Sequence, residues 1–171
     1  METIFEVCKF FFNFAENSGD MKYLLSILFL TCFTAAETMT GIVVKVTDGD
    51  TVTVLVAGNR QEIIRLADID APEKGQPFSE KSRIFLSDMV AGKTVRVEYS
   101  RRDLYGRILG VVFVDGKNVN EELLKAGLAW NYHYSRNKRY AELEAEAKRQ
   151  RLNIFSERNP VSPYDYRRGK R

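Results

Sequence analysis

Cysteine, histidine and tryptophan are scarce in this chain: two Cys, one His and one Trp in 171 residues. Cys8 and Cys32 both fall within the first 36 positions. From Glu37 onward no disulfide is available, so packing, hydrogen bonds and any bound metal must hold the fold. His133, with no second histidine and no nearby cysteine, excludes a zinc cluster and reads as a partly exposed loop residue. A bilayer-spanning helix needs about 20 apolar residues, whereas the apolar run at 23–33 has 11. That length argues against a permanent membrane anchor. No internal repeat is visible.

What is present suits one globular domain. The chain is 44% hydrophobic and 29% charged, and its length suffices for a single real core but not for a second independent one. The head differs in composition, holding seven of the eleven Phe residues within 1–36. At 21–36, Lys22 precedes the apolar run, and Thr34, Ala35 and Ala36 are small residues before Glu37. This is the pattern of a secretory signal peptide cleaved near Ala36, so a secreted or periplasmic protein is expected. Leu30 and Thr31 fit a lipoprotein cleavage site at Cys32 poorly. Residues 1–20 carry Glu2, Glu6, Glu16 and Asp20 against Lys9, the wrong sign ahead of a signal. They read as a non-native or mis-assigned extension, with Met21 as the natural start. Removing the charges of 1–36 (Lys9, Lys22 and those four acids) from 26 basic and 23 acidic residues leaves 24 and 19, a net charge of +5. The sign favours a polyanionic partner, although so small a charge carries little alone.

Three strand-like runs open the domain at 41–47, 51–57 and 60–67, separated by Asp48-Gly49-Asp50 and Gly58-Asn59 turns. Pro72, Gly75 and Pro77 then punctuate a loop. Phe78, Phe85, Leu86 and Met89 recur at helical spacing up to Gly92. Two further strands are expected at 94–99 and 108–114, joined by a charged turn at 101–106. Asn118 or Asn120 can cap a short helix running through Leu124 and stopped at Gly127. A last helix is expected over about 137–151, with Tyr140, Leu143 and Ala147 on one face and Asn153 suited to a left-handed cap. Five strands with a helix between the third and fourth outline an α+β, mainly β protein: a five-stranded OB-fold barrel with three helices. The barrel domain would cover 37–158. A basic, aromatic tail at 159–171 would lie on the surface as a solvated extension, although tethering of phosphate by it is an open alternative.

Three short segments could carry chemistry: Asp48-Gly49-Asp50-Thr51, then Arg65 through Glu73 (RLADIDAPE), then Tyr105-Gly106-Arg107. Each alone is explained by a turn, a loop start and a hairpin corner. Their order and spacing together resemble the staphylococcal nuclease, or thermonuclease, family, and the likeness runs over about 40–155. That family's fold is the same OB barrel.

The resemblance implies a nuclease acting on DNA and RNA with Ca2+ as cofactor, working as a monomer without a stable protein partner. It implies Asp50, Asp70 and the backbone carbonyl of Ala71 as calcium ligands, which suits a hard cation that takes oxygen donors and keeps positions for water and phosphate. Glu73 matches the general base, either abstracting a proton from the attacking water or positioning it. Arg65 and Arg107 match the arginines that grip the scissile phosphate, where a planar fork can donate paired hydrogen bonds. Asp48 is either an acid backing the metal site or a residue bonded to its own turn.

Tyr105 matches a tyrosine that contacts a terminal phosphate, but Leu104 departs from the pattern where the family has a lysine. Tyr132 and Tyr134 lie near two tyrosines that flank a base, in a stretch one residue shorter. They are either stacking platforms or core. Trp130 reads as core. The resemblance also implies a preference for single strands and products ending in 3′-phosphate. A catalytically silent OB-fold module that binds nucleic acid or protein is the alternative. Such relatives lose ligands or arginines that this chain keeps.

Overall fold

Alternation of buried and exposed residues builds the barrel. The computed structural model describes residues 37–170; the extension at 1–20 and the signal peptide at 21–36 lie outside the described residues. Along β2 (Thr51–Val56), β3 (Arg60–Leu66), β5 (Thr94–Arg102) and β6 (Ile108–Val114), the residues Val52, Val54, Ile64, Leu66, Val95, Val97, Ile108, Val112 and Val114 point inward at period two. β1 (Glu37–Val46) pairs antiparallel with both β2 and β5. The strand order is β3-β2-β1-β5-β6, and β3 closes onto β6 in parallel through Ile64–Ile108, Arg65–Leu109 and Leu66–Gly110. The result is the expected closed five-stranded barrel with three principal helices.

Closure depends on two residues that look unremarkable in sequence. A Cβ on Gly110 would sit 2.6 Å from Val97 Cγ1, so glycine permits the strands to approach there. Asn120 is fully buried; its side chain accepts from the Val112 amide at 3.1 Å and donates to the Ala67 carbonyl at 2.9 Å. It therefore satisfies backbone groups left over where β3 meets β6, groups that would otherwise be costly to bury.

The helices cover the barrel. α1 (Ser79–Val90) buries Ser82, Leu86 and Val90. α2 (Val119–Lys125) is capped by Asn118, which accepts from the Glu121 amide at 3.1 Å, leaving Asn120 to the core. α3 (Lys138–Arg149) is capped by Asn137 and buries Tyr140, Leu143 and Ala147. The left-handed residue just past its end is Arg151 at φ 52°, although Asn153 is left-handed too, at 42°.

Several elements differ from the sequence expectation. β1 begins at Glu37 because it runs along β5 as far as the Glu37–Tyr99 pair. β5 includes Arg101 and Arg102, which pair with Leu109 and Ile108, so the charged turn shrinks to the residues around Asp103. A two-stranded patch joins β4 (Ile69–Asp70) to β8 (Trp130–Asn131), and β7 (Lys117–Asn118) extends β6. The tail is not a loose extension. It ends in a short helix, α4 (Pro163–Arg167), begun by Ser162 as cap with Pro163 buried at its first turn. Among the described residues no helix is long and apolar enough to cross a membrane.

Candidate active site

The site grows from the β1–β2 turn, the end of β3 and the loop after β4. Gly49 is required by crowding: a Cβ there would lie 2.2 Å from Ser82 Oγ and 2.7 Å from the Ala71 side chain. The turn is thus pressed against α1 and the Ala71 loop. Asp48 accepts from the Asp50 amide at 3.0 Å, so it is bonded to its own turn while its charge still bears on Asp50.

Asp50 is buried. Its Oδ2 accepts from the Ala71 amide at 2.6 Å and lies 3.0 Å from Arg65 Nη1; its Oδ1 accepts from Thr51 Oγ1 at 3.2 Å. Arg65 then ties the group together. Nη1 donates to the carbonyls of Leu66 at 3.1 Å and Ile69 at 3.0 Å, and Nη2 donates to Asp70 Oδ1 at 2.8 Å. Asp70 is equally buried, and the β4–β8 pairing holds it opposite Trp130. Glu73 follows the buried Pro72, and its amide donates to Gln76 Oε1 at 2.7 Å. The structure thus joins Asp50, Asp70, Arg65 and Ala71 in one network, with Glu73 on the loop just beyond.

Arg107 stands apart. Its Nε donates to Asp103 Oδ2 at 2.7 Å, and no hydrogen bond or ion pair joins it to the carboxylate group among the described residues. Asp103, not foreseen from sequence, also accepts from the amides of Tyr105 and Arg107, each at 2.9 Å, and so shapes the hairpin. Anchoring through Nε leaves both terminal nitrogens of Arg107 available. Tyr105 is exposed beside it, with its ring centroid 5.5 Å from the guanidinium carbon. Tyr132 and Tyr134 are exposed rather than core, with ring centroids 5.7 Å apart. Trp130 packs edge-on against Phe155 at 4.9 Å.

Sequence reasoning missed the tail's part in the site. Arg167 donates from Nη2 to Asp70 Oδ2 at 2.8 Å and from Nη1 to Asp70 Oδ1 at 3.3 Å, and it also contacts Glu73 Oε1. The hydrogen bonds it donates to Asp70, then to Glu73, hold its guanidinium above the usual range despite partial burial. Tyr164 stacks flat on His133, with centroids 4.1 Å apart and planes 5° apart, and its hydroxyl lies 3.2 Å from that of Tyr134. Ser162-Pro163 is a helix-start signal, but nothing local to it shows where the helix returns.

Burial dominates the electrostatics of Asp50. Desolvation pushes its carboxyl from 3.8 up to about 7, against the pull of Arg65 and the Ala71 amide, with Asp48 and Asp70 adding repulsion. The fold therefore binds this proton more tightly than the unfolded chain does, and metal-free stability falls as pH rises from 3.8 through about 7. Asp50→Asn is expected to melt higher than the wild type at pH 8 in chelator, with the advantage gone near pH 4. A difference between the two proteins that stays constant with pH would count against this account.

The donor set tests what cation could sit here. Among the described residues no three His, Cys, Asp or Glu side chains form a ready cage. Two buried carboxylates, Asp50 and Asp70, one of them raised chiefly by desolvation, offer hard oxygen donors. They fit a hard divalent cation.

Such a cluster on one face of a closed OB barrel places the molecule among the barrel-fold nucleases. The chain belongs to the staphylococcal nuclease family: the family described as "Staphylococcal nuclease homologue" matches residues 63–157. That span includes Arg65, Asp70, Ala71, Glu73, Tyr105, Arg107, Tyr132 and Tyr134, while Asp48, Asp50 and Arg167 lie outside it. An "Uncharacterized endonuclease" of Haemophilus influenzae is 40% identical over 146 residues, covering 85% of this chain and 82% of that protein. One of the same description from Escherichia coli is 41% identical over 153 residues, covering 87% and 99%. A "Micrococcal nuclease" of Shigella flexneri is 41% identical over 144 residues, covering 77% and 82%. The protein is a nuclease, and nucleic acid is its substrate.

Proposed function

We propose that this nuclease is a calcium-dependent phosphodiesterase of the thermonuclease type, cleaving DNA and RNA with a preference for single strands and leaving 3′-phosphate ends. The observation that carries this reading is the buried Asp50–Arg65–Asp70 ion network with Glu73 beside it. Asp50, Asp70 and the Ala71 carbonyl would hold the cation, which supplies charge to offset that gathering on the phosphate. Glu73 takes a proton from the attacking water, or fixes its orientation, as the water oxygen bonds to phosphorus and the bond to the 5′ oxygen breaks.

None of the described hydrogen bonds uses Arg65 Nε, so Nε–H and a second proton on Nη2 remain as a paired donor face for phosphate. Arg107 presents its terminal nitrogens from the hairpin. The exposed rings of Tyr132 and Tyr134 suit unpaired bases, stacking with little sequence preference, and Tyr105 suits an outlying phosphate. The apolar run at 23–33 and the small residues after it support export to the periplasm or medium by a cleaved signal peptide, with the enzyme acting as a monomer.

Hydrolysis of heat-denatured DNA by the purified protein is expected with added calcium and is expected to stop when the calcium is chelated. Binding without cleavage in calcium and in magnesium would instead identify a silent OB-fold module.

A further inference from the structure

We propose that Arg167 is the resident counter-cation of Asp70 and Glu73, so that a divalent cation must displace the C-terminal tail's guanidinium in order to load the site. This rests on the calcium reading above. Both oxygens of Asp70 already carry a guanidinium nitrogen at 2.8 Å, Oδ1 that of Arg65 and Oδ2 that of Arg167. A dication drawing on either oxygen would sit directly beside one of these guanidinium charges, and that repulsion is relieved only if one of them moves away.

The two arginines are held very differently. Arg65 has a side chain only 15% exposed and is fixed by the Leu66 and Ile69 carbonyls as well as by Asp50. Arg167 is 42% exposed, and among the described residues its guanidinium is bonded only to the carboxylates of Asp70 and Glu73. Arg167 is the one that yields.

The tail is built to deliver it. Gln76 donates from Nε2 to the Val161 carbonyl at 3.1 Å while its Oε1 accepts from the Glu73 amide, so one side chain connects the loop carrying Glu73 to the tail. Pro163 is buried, Ser162 caps the turn through the Asp165 amide at 3.1 Å, and Tyr164 lies on His133. These contacts hold the tail while leaving the guanidinium free to leave the carboxylates. A protein that is competent for its ligand only when unlatched shows an affinity reduced by the unlatched fraction. A tail latched about 90% of the time weakens apparent calcium affinity about tenfold.

Calorimetric titration of calcium into the full protein and into Arg167→Gln tests this, with circular dichroism as the check that both are folded. The variant is expected to bind calcium about tenfold more tightly. Equal or weaker calcium binding by Arg167→Gln overturns the proposal while leaving the calcium reading intact. Absence of calcium binding in both folded proteins overturns the calcium reading, and this inference with it.

Discussion

Glu73→Gln is expected to lower turnover on denatured DNA by about 10²–10⁴-fold, the range for removing a general base. Glutamine keeps the shape and one acceptor oxygen but cannot take a proton. The backbone that places residue 73 does not depend on its carboxylate: Pro72 is buried before it, and its amide is held by Gln76. The one ion pair lost among the described residues is with Arg167, and both side chains there are well exposed, so stability should change by no more than about 1 kcal/mol. Because the proton transfer belongs to the transition state, kcat and kcat/KM should fall together while KM stays close to the wild-type value. Single-turnover rates in saturating calcium, with a melting curve on the same preparation, separate these effects. Turnover within a few-fold of wild type would remove Glu73 from the chemistry.

How much of this was legible in the sequence varied with the range over which each feature is determined. Val52, Val54, Ile64, Leu66 and the β6 residues alternate because one barrel face is buried, and alternation is a local signal, so those strands were found nearly to the residue. Asn118 was one of two cap candidates for its helix, and the last helix was expected to start at about Asn137, which proves to be its cap. What could not be read was set by partners far along the chain. Asp70 is held in register by Trp130, through strands of two residues each that are too short to leave a pattern. Asn120 resembles a second capping candidate until the Ala67 and Val112 backbone groups arrive beside it. Gly49 looks like turn chemistry, but what demands it is Ser82, 33 positions on. The tail carried a readable helix start in Ser162 and Pro163, yet its meaning lies in contacts from Arg167 to residues more than ninety positions earlier. Family resemblance pointed to the carboxylates and arginines; it assigned no role to Asp103 and none to Arg167 beside the carboxylates.

Arg65→Ala is expected to cost stability and activity together, because this side chain serves both. It is the most buried cation in the site, and its removal leaves Asp50 and Asp70 facing each other with only the more exposed Arg167 nearby. Breaking a buried pair by deleting one partner costs about 3–5 kcal/mol, since the remaining charge stays desolvated. Proton uptake by Asp50, already pushed up to about 7, softens that cost below neutral pH. The Leu66 and Ile69 carbonyls lose their donor as well.

Arg65→Lys separates the two functions. One ammonium can keep part of the charge compensation, so urea denaturation should show it recovering a good share of the alanine variant's lost stability. It cannot reproduce a planar fork that reaches Asp70 and two carbonyls on one side while offering paired donors to phosphate on the other. Turnover by the lysine variant should therefore stay about 10²–10³-fold down, comparable to loss of one preorganised donor, when assayed at a temperature where it is fully folded. Wild-type turnover in Arg65→Lys would reduce Arg65 to a scaffold residue. An alanine variant as stable as wild type would mean that the carboxylates need no buried counter-charge, and the electrostatic account of the site would have to be rebuilt around water.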